Sequence, residues 1–238
     1  MIEYVGKCLL VREKRERVLV VGDLHFGYED RMNRKGEFVQ RKVYDLIIEE
    51  LERVFIKVGM VDEVVLLGDV KHGFGRGNNQ EWREIIEIFK YLKEKCKKVV
   101  VLKGNHDNYL ENIATKEEIL VLEYYIWKDY CFLHGDIKIK EMEGKGIRYW
   151  IMGHVHPAVT LRKGAKSERY KCFLKGKYKK KVVVILPSFF PLVEGSDVLD
   201  KELNVPWKFD VETFEVAVVG ENLEVLNFGK LSKLRKAH

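Results

Sequence analysis

The chain is poor in cysteine. It has four, Cys8, Cys96, Cys131 and Cys172, set far apart and with no Cys-x-x-Cys pair. That spacing argues against a zinc ribbon and against a disulfide scaffold, and it fits buried apolar thiols in a reducing, cytoplasmic setting. No apolar run approaches the roughly eighteen residues that mark a membrane-spanning helix. The N-terminal MIEYVGKCLL carries an acid at position 3 and no apolar stretch leading to a small-residue cleavage site, so it does not read as a signal peptide. Only two glutamines stand in a background rich in lysine and glutamate, a balance that leans toward thermophiles. Linkers, low-complexity blocks and clean repeats are also missing. One domain spanning residues 1–238 fits best, and that length can bury a substantial core.

What is present is a globular composition, 46% hydrophobic and 34% charged, rather than that of a disordered chain. The net charge is +6. Much of the excess lies in Arg162-Lys163, Lys166, the run Lys175, Lys177, Lys179, Lys180, Lys181, and the tail from Lys230 to Lys236. A basic surface suits nucleic acid or another polyanion, and a lysine-solvated hairpin and tail explains the same charge equally well.

Short runs rich in Val, Ile and Leu end repeatedly in polar residues, as buried strands do. Val18–Val21 leads into Gly22-Asp23-Leu24-His25, and Val64–Leu67 into Gly68-Asp69-Val70-Lys71-His72. Val99–Leu102 leads toward Gly104-Asn105-His106-Asp107, Cys131–Leu133 into His134-Gly135-Asp136, and Tyr149–Met152 into Gly153-His154-Val155-His156. A sixth run, Val182–Leu186, ends in Pro187-Ser188. Between the first three runs lie helical patterns: Val39, Val43, Leu46, Ile47, Leu51, Val54 and Val58 share one face, and Trp82, Ile85, Ile86, Phe89 and Leu92 another. The alternation predicts parallel strands with helical crossovers in the first half. The second half reads as hairpins over Glu123–Leu133, Arg169–Leu186 (turning at Lys175-Gly176-Lys177) and Glu215–Phe228 (turning at Gly220-Glu221-Asn222). A mixed α/β fold is expected.

Six of the seven histidines fall in these strand-end motifs. Open α/β folds gather ligands at the carboxyl ends of their strands, so residues as distant as 23 and 156 are expected to meet. Asp23-x-His25 and His154-x-His156 put two donors on one side of an extended segment. The glycines at 22, 68, 104 and 153 allow close backbone approach. Oxygen and imidazole donors without thiolate suit manganese, iron or zinc better than calcium. Asp23, His25, Asp69, Asn105, His134, His154 and His156 are too many for one closed tetrahedral zinc site. They suit two adjacent divalent ions sharing a carboxylate, with water in the open positions.

The order Asp23-x-His25, Gly68-Asp69-x-x-His72, Gly104-Asn105-His106-Asp107, His134-Gly135 and Gly153-His154-x-His156 resembles the calcineurin-like metallophosphoesterase superfamily. The match spans residues 22–157. It implies a four-layer α/β/β/α sandwich, two mixed sheets with helices outside. It also implies that Asp23, His25 and His156 hold one metal, Asn105, His134 and His154 the other, and Asp69 bridges them. His106 would then face the scissile phosphate. Gly-Asp-x-x-His resembles the branch that contains double-strand-break repair nucleases. His72 would there contact a phosphate or a metal-bound water, or make a structural hydrogen bond. Leu186-Pro187-Ser188-Phe189-Phe190-Pro191-Leu192 and Asp23–Glu29 are similar to a subgroup of compact phosphoesterases, some of them associated with DNA ligases. The chain lacks room for the large additions of the repair nucleases.

The expected chemistry is hydrolysis of a phosphoester, a diester before a monoester, by water activated between two metals: manganese first, with iron, zinc or nickel as alternatives. His106 would stabilise the transition state or protonate the leaving oxygen, and Asp107 would orient its ring. Ser188 has no evident triad partners. The substrate is expected to be DNA, RNA or a nucleotide. The competing readings are a nucleotide phosphatase or cyclic-nucleotide phosphodiesterase, a non-catalytic metal-binding scaffold, and a plain nucleic-acid-binding domain.

Overall fold

Alternation of apolar side chains sorts the N-terminal strands onto two faces. The computed structural model describes residues 1–164, 166–200 and 202–237. In it β1 (Ile2–Val5), β2 (Cys8–Glu13) and β3 (Glu16–Val21) form an antiparallel meander. Cys8, Leu10, Leu19 and Val21 pack on one side of it, and Leu9, Val11, Val18 and Val20 on the other, as the period-two geometry of strands requires. Crossovers follow. The helices α1 (Tyr28–Arg34) and α2 (Val43–Val58) lead to β4 (Val61–Leu66), and α3 (Asn79–Lys95) leads to β5 (Cys96–Leu102). The short α4 (Leu110–Lys116) leads to β6 (Leu120–Leu122), and β3 through β6 pair in parallel in that order.

The helices form where apolar residues recur at three- and four-residue spacing. Ile47, Leu51, Val54 and Val58 of α2 are buried against the sheet, as are Ile85, Ile88, Phe89 and Leu92 of α3. Asn78 starts α3 by accepting the amides of Gln80 and Glu81 at 2.8 and 2.9 Å. Two residues expected on the first face differ: Val39 precedes α2, and Leu46 is exposed.

The second sheet begins with β7 (Tyr124–Trp127), β8 (Tyr130–Leu133) and β9 (Tyr149–Met152). It continues with β10 (Pro157–Lys163), β11 (Lys166–Tyr178), β12 (Lys181–Ile185) and β13 (Ser196–Asp197), and ends with β14 (Glu215–Val219) and β15 (Val225–Lys230) before α5 (Leu231–Ala237). Its spatial order is β13-β10-β11-β12-β9-β8-β7, with β14 pairing β11 and β15. Strands β8, β9 and β12 are parallel, and the rest are mostly antiparallel hairpin partners.

The two sheets pack face to face through Val20, Val65, Leu67, Val100 and Leu102 on one side and Phe132, Ile151, Phe173, Val184 and Leu186 on the other. The helices cover the outside of the first sheet. The outside of the second is covered more thinly, by coil, the 3-10 turns at Lys140–Glu143 and Val211–Thr213, and α5, with Met142, Trp207, Phe214 and Leu231 buried there. The two mixed sheets flanked by helices match the expected sandwich. The outer layer is thin because hairpins, unlike parallel crossovers, bring no long helix with them.

One expected turn lies elsewhere. Lys175-Gly176-Lys177 is inside β11, Gly176 pairs with Val183, and the chain reverses after Tyr178, with Lys179 at φ 53°. Gly176 serves packing instead, because a Cβ there would lie 2.0 Å from the Phe214 ring. The four cysteines are free and buried, as expected.

Candidate active site at the carboxyl ends of the strands

The carboxyl ends of β3, β4 and β5 in one sheet and of β8 and β9 in the other open onto a common edge. Backbone bonds lock the loops together there: the amide of His25 donates to the Asp69 carbonyl at 2.9 Å, and that of Gly153 to His134 at 2.9 Å. Nδ1–H of His134 reaches across to the Leu67 carbonyl at 2.7 Å and joins the two sheets. The same bond fixes the tautomer and leaves Nε2 free as a ligand.

The loops bring all seven expected ligand residues together, in two groups. In the first, donor atoms of Asp23, His25 and His156 lie within 4.8 Å of one another. His156 Nε2 is 3.2 Å from Asp23 Oδ1 and 3.3 Å from His25 Nε2. The second joins Asp69, His134 and His154 within the same limit. His134 Nε2 there lies 3.1 Å from His154 Nδ1 and 3.2 Å from Asn105 Oδ1. Asp69 Oδ2 faces both groups, 3.5 Å from His134 Nε2 and 3.9 Å from His25 Nε2.

Holding these donors together requires unusual backbone. Asp23, His25, Asp69, His154 and His156 all have left-handed φ, between 40° and 67°. Non-glycine residues there cost on the order of 1–3 kcal/mol each and persist only where the surroundings enforce them. Glycine is needed where the loops touch. A Cβ on Gly104 would lie 2.2 Å from Asp69 Oδ1, and one on Gly153 would lie 2.7 Å from Asp23 Oδ2.

The electrostatics suit a cation. Asp23 is 1% exposed, and its Oδ2 has no hydrogen-bond partner among the described residues. A buried anionic oxygen left this way is costly without a positive charge beside it. Burial pushes Asp69 up to about 6, although His134 opposes the rise. Burial would also raise Asp23, but His156, His134 and His25 hold it below the usual carboxylate range. Burial drives His25 well below its ordinary value, His72 down to about 4, and His106 and His154 lower as well. These four imidazoles are thus held neutral, the form that binds metal. His134 moves the other way: the charges of Asp23 and Asp69 outweigh its burial and raise it. Oxygen and nitrogen donors around a partnerless buried carboxylate oxygen fit divalent ions, and no cysteine joins the donor groups among the described residues.

His106 stands at the rim. Its amide donates to Asp69 Oδ1 at 3.0 Å, its Nδ1–H to the His72 carbonyl at 2.6 Å, and its Nε2 is 3.9 Å from Asp69 Oδ2. The ring is therefore oriented by a main-chain carbonyl rather than by Asp107, which corrects the expectation for that residue. Asp107 is buried and accepts the amides of Lys71 at 3.1 Å and Gly104 at 2.9 Å, so it shapes the turn. Burial and the Asp69 charge push it up to about 7. The His72 ring packs 5.4 Å from His25 and 5.6 Å from His106, and its buried Nδ1 is unpartnered among the described residues.

Two supporting residues escaped the sequence reading. The fully buried Lys71 directs its ammonium at the carbonyls of Gly73, Gly75 and His106, tying the loop after β4 to the Gly104–Asp107 turn. Lys171, which burial pushes down to about 7, holds the carbonyls of Ser188 and Phe190. Ser188 in turn donates from Oγ to the Asp23 carbonyl at 3.0 Å, which makes it a brace and not a nucleophile. The signal for Lys71 was only its place inside the Gly68–His72 motif, and for Lys171 only a lysine before the apolar run Cys172-Phe173-Leu174.

The family model of the calcineurin-like phosphoesterases matches residues 16–221. Among solved structures, the nuclease MPE of Pseudomonas putida aligns with a TM-score of 0.66 and 18% identity, over 96% of this chain and 100% of that one. A protein of unknown function from Aquifex aeolicus, AQ665, gives 0.39 and 21% over 58% of this chain and 78% of that one. A predicted phosphoesterase from Streptococcus pneumoniae gives 0.37 and 15% over 91% and 97%. No curated protein sequence matches the chain. The likeness to MPE shows the shared fold, and the family match spans the strand-end motifs, so this chain belongs to the calcineurin-like phosphoesterase family, a metal-dependent hydrolase of phosphoric esters.

Proposed function

We propose that the chain is a two-metal phosphodiesterase. The observation that carries the reading is the position of Asp69, whose Oδ2 faces both donor groups at 3.5 and 3.9 Å. Asp23, His25 and His156 would hold one ion and Asn105, His134 and His154 the other, with Asp69 between them. Manganese is the first candidate, and iron, zinc or nickel also suit the oxygen and imidazole donors. The ions, when bound, supply Lewis acidity that activates water and neutralises charge on the phosphoryl oxygens.

The residues of the chain do the rest. His106 keeps Nδ1–H on the His72 carbonyl, so its transferable proton is the one on Nε2. An approaching phosphate anion favours that proton, which passes to the leaving oxygen. The His72 ring offers a second contact to phosphate, and Asp107 acts by holding the Gly104–His106 turn in place. The basic charge of the chain favours a diester in DNA, RNA or a nucleotide over a neutral or small monoester. The four free, buried thiols accord with a reducing, cytoplasmic setting. No helix among the described residues is long and apolar enough to cross a membrane.

Metal analysis with a substrate panel tests the reading. Two equivalents of divalent ion are expected per chain, with faster turnover of bis(p-nitrophenyl) phosphate than of p-nitrophenyl phosphate. A metal-loaded protein that hydrolyses neither would refute it.

A further inference from the structure

The loop Gly73-Phe74-Gly75-Arg76-Gly77 and α1 wall a cleft of about 440 Å³ next to His106. Phe74 is 51% exposed, unusual for a ring so near a site of buried groups. One of its faces stacks on His106, with centroids 3.9 Å apart and planes 28° apart, which leaves the other to solvent. The loop is not slack, since the Lys71 ammonium holds the carbonyls on both sides of Phe74. The cleft is also unevenly neutralised. Its acids are engaged within the protein: Asp30 by Arg34 at 2.8 Å and Asn78 at 2.7 Å, and Glu81 by the Gly73 amide at 3.2 Å. Arg31 and Arg76 line the same cleft, and among the described residues neither makes an ion pair.

We propose that this cleft is a nucleobase subsite. An unpaired base next to the scissile phosphate stacks on the free face of Phe74, and Arg31 and Arg76 hold the adjoining phosphates. The inference rests on the reading that His106 faces the scissile phosphate. A base at van der Waals distance, about 3.5 Å beyond Phe74, lies no further from His106 than the neighbouring nucleotide of the strand being cut. Every base presents a π-face, so stacking of this kind tolerates any sequence. In a duplex both faces of each base are covered by its neighbours, so the subsite selects single-stranded or locally unpaired substrate.

The test uses metal-loaded full-length protein and a labelled single-stranded DNA oligonucleotide. Cleavage is mapped, and the flanking nucleotides are replaced one at a time by abasic residues. In the wild type, removing one flanking base is expected to lower kcat/KM by about 5- to 150-fold. In Phe74→Ala the intact and abasic substrates should be cleaved alike, and in Phe74→Trp the discrimination should persist. The quantity is a ratio within each variant, so a change in active fraction or in His106 does not affect it. Arg31→Ala and Arg76→Ala should each flatten the dependence of log affinity on log salt by about 0.7. Equal discrimination in wild type and Phe74→Ala overturns the subsite. So does a wild type that hydrolyses bis(p-nitrophenyl) phosphate but no oligonucleotide, an outcome that leaves the hydrolase reading standing. A wild type inactive on both overturns the hydrolase reading and the subsite with it.

Discussion

Asp69→Asn should stabilise the metal-free protein while abolishing its use of metal. Asp69 is 2% exposed, and burial raises its carboxyl from the ordinary 3.8 to about 6. Ionising it in the folded state therefore costs about 3 kcal/mol relative to the unfolded chain. The sign follows from proton counting. With the folded value above the unfolded one, the folded state binds more protons between about pH 4 and 6, so this group's contribution to stability falls as pH rises through that window and stays low above it. Asparagine keeps an oxygen that can accept the His106 amide, the 3.0 Å bond that Oδ1 makes, but carries no charge.

The expected gain is about 3 kcal/mol at pH 8, shrinking toward zero near pH 4, which for a chain of this size is roughly 6–12 °C in Tm. Scanning calorimetry of both proteins in chelator, from pH 4 to 8, reads it. Taking the difference between the two proteins matters, because His25, His72, His106 and His154 have lowered values and contribute the opposite slope to both. Added manganese should reverse the order. The wild type gains about 2.7 kcal/mol at a hundredfold excess over Kd, and the variant gains far less. If Asp69→Asn is less stable than wild type in chelator at pH 8, or if the difference does not change with pH, the account of Asp69 as a strained, metal-requiring charge is wrong.

His106→Ala should lower kcat by about 10²–10⁴-fold on a diester while metal stoichiometry stays unchanged, measured by steady-state kinetics and elemental analysis. Gly104→Ala must displace the Asp69 carboxylate and backbone, which a Cβ would meet at 2.2 and 2.4 Å. It should cost at least about 1–3 kcal/mol by denaturant titration and weaken metal binding in isothermal calorimetry. Lys71→Met leaves three partly buried carbonyls without their ammonium donor. A loss of about 2–4 kcal/mol is expected, with faster hydrogen exchange in residues 73–76 as its local signature.

The sandwich and the clustering of the expected donors were legible because both are written in local patterns. Each parallel strand is a short apolar run, and each ends in ligand-type residues whose positions the βα topology makes adjacent. Legibility failed where a residue's role depends on what lies across the fold. Gly176 looks like a turn glycine between two lysines, but the Phe214 ring, from a different segment, is what requires it. Asp107 sits next to His106 in sequence, which suggests a carboxylate–imidazole pair. In the fold the ring turns to the His72 carbonyl, and the carboxylate to two amides. Lys71 could be read only as a lysine inside the Gly68–His72 motif, since the carbonyls it joins come from two loops. Phe74 is simply an aromatic in a glycine-rich loop until it is seen resting on His106.

These features share one energetic logic. Five of the expected ligand residues sit at left-handed φ, Asp23 Oδ2 is buried without a partner among the described residues, and Asp69 and Asp107 resist ionisation. Each term disfavours the metal-free fold, and the layered cores on both faces of the first sheet are what offset them. A cation between the donor groups would turn the same carboxylates from a liability into ligands, so metal affinity and folding stability are expected to be coupled through Asp23 and Asp69. The coupling has a direction that can be checked against Lys171, which braces the Asp23 turn from behind through Ser188 and Phe190. Lys171→Met loosens that turn without removing a donor. It should therefore weaken metal binding while leaving its stoichiometry intact, and an unchanged metal Kd in a folded Lys171→Met protein would show that the turn is set by the ligand loops alone.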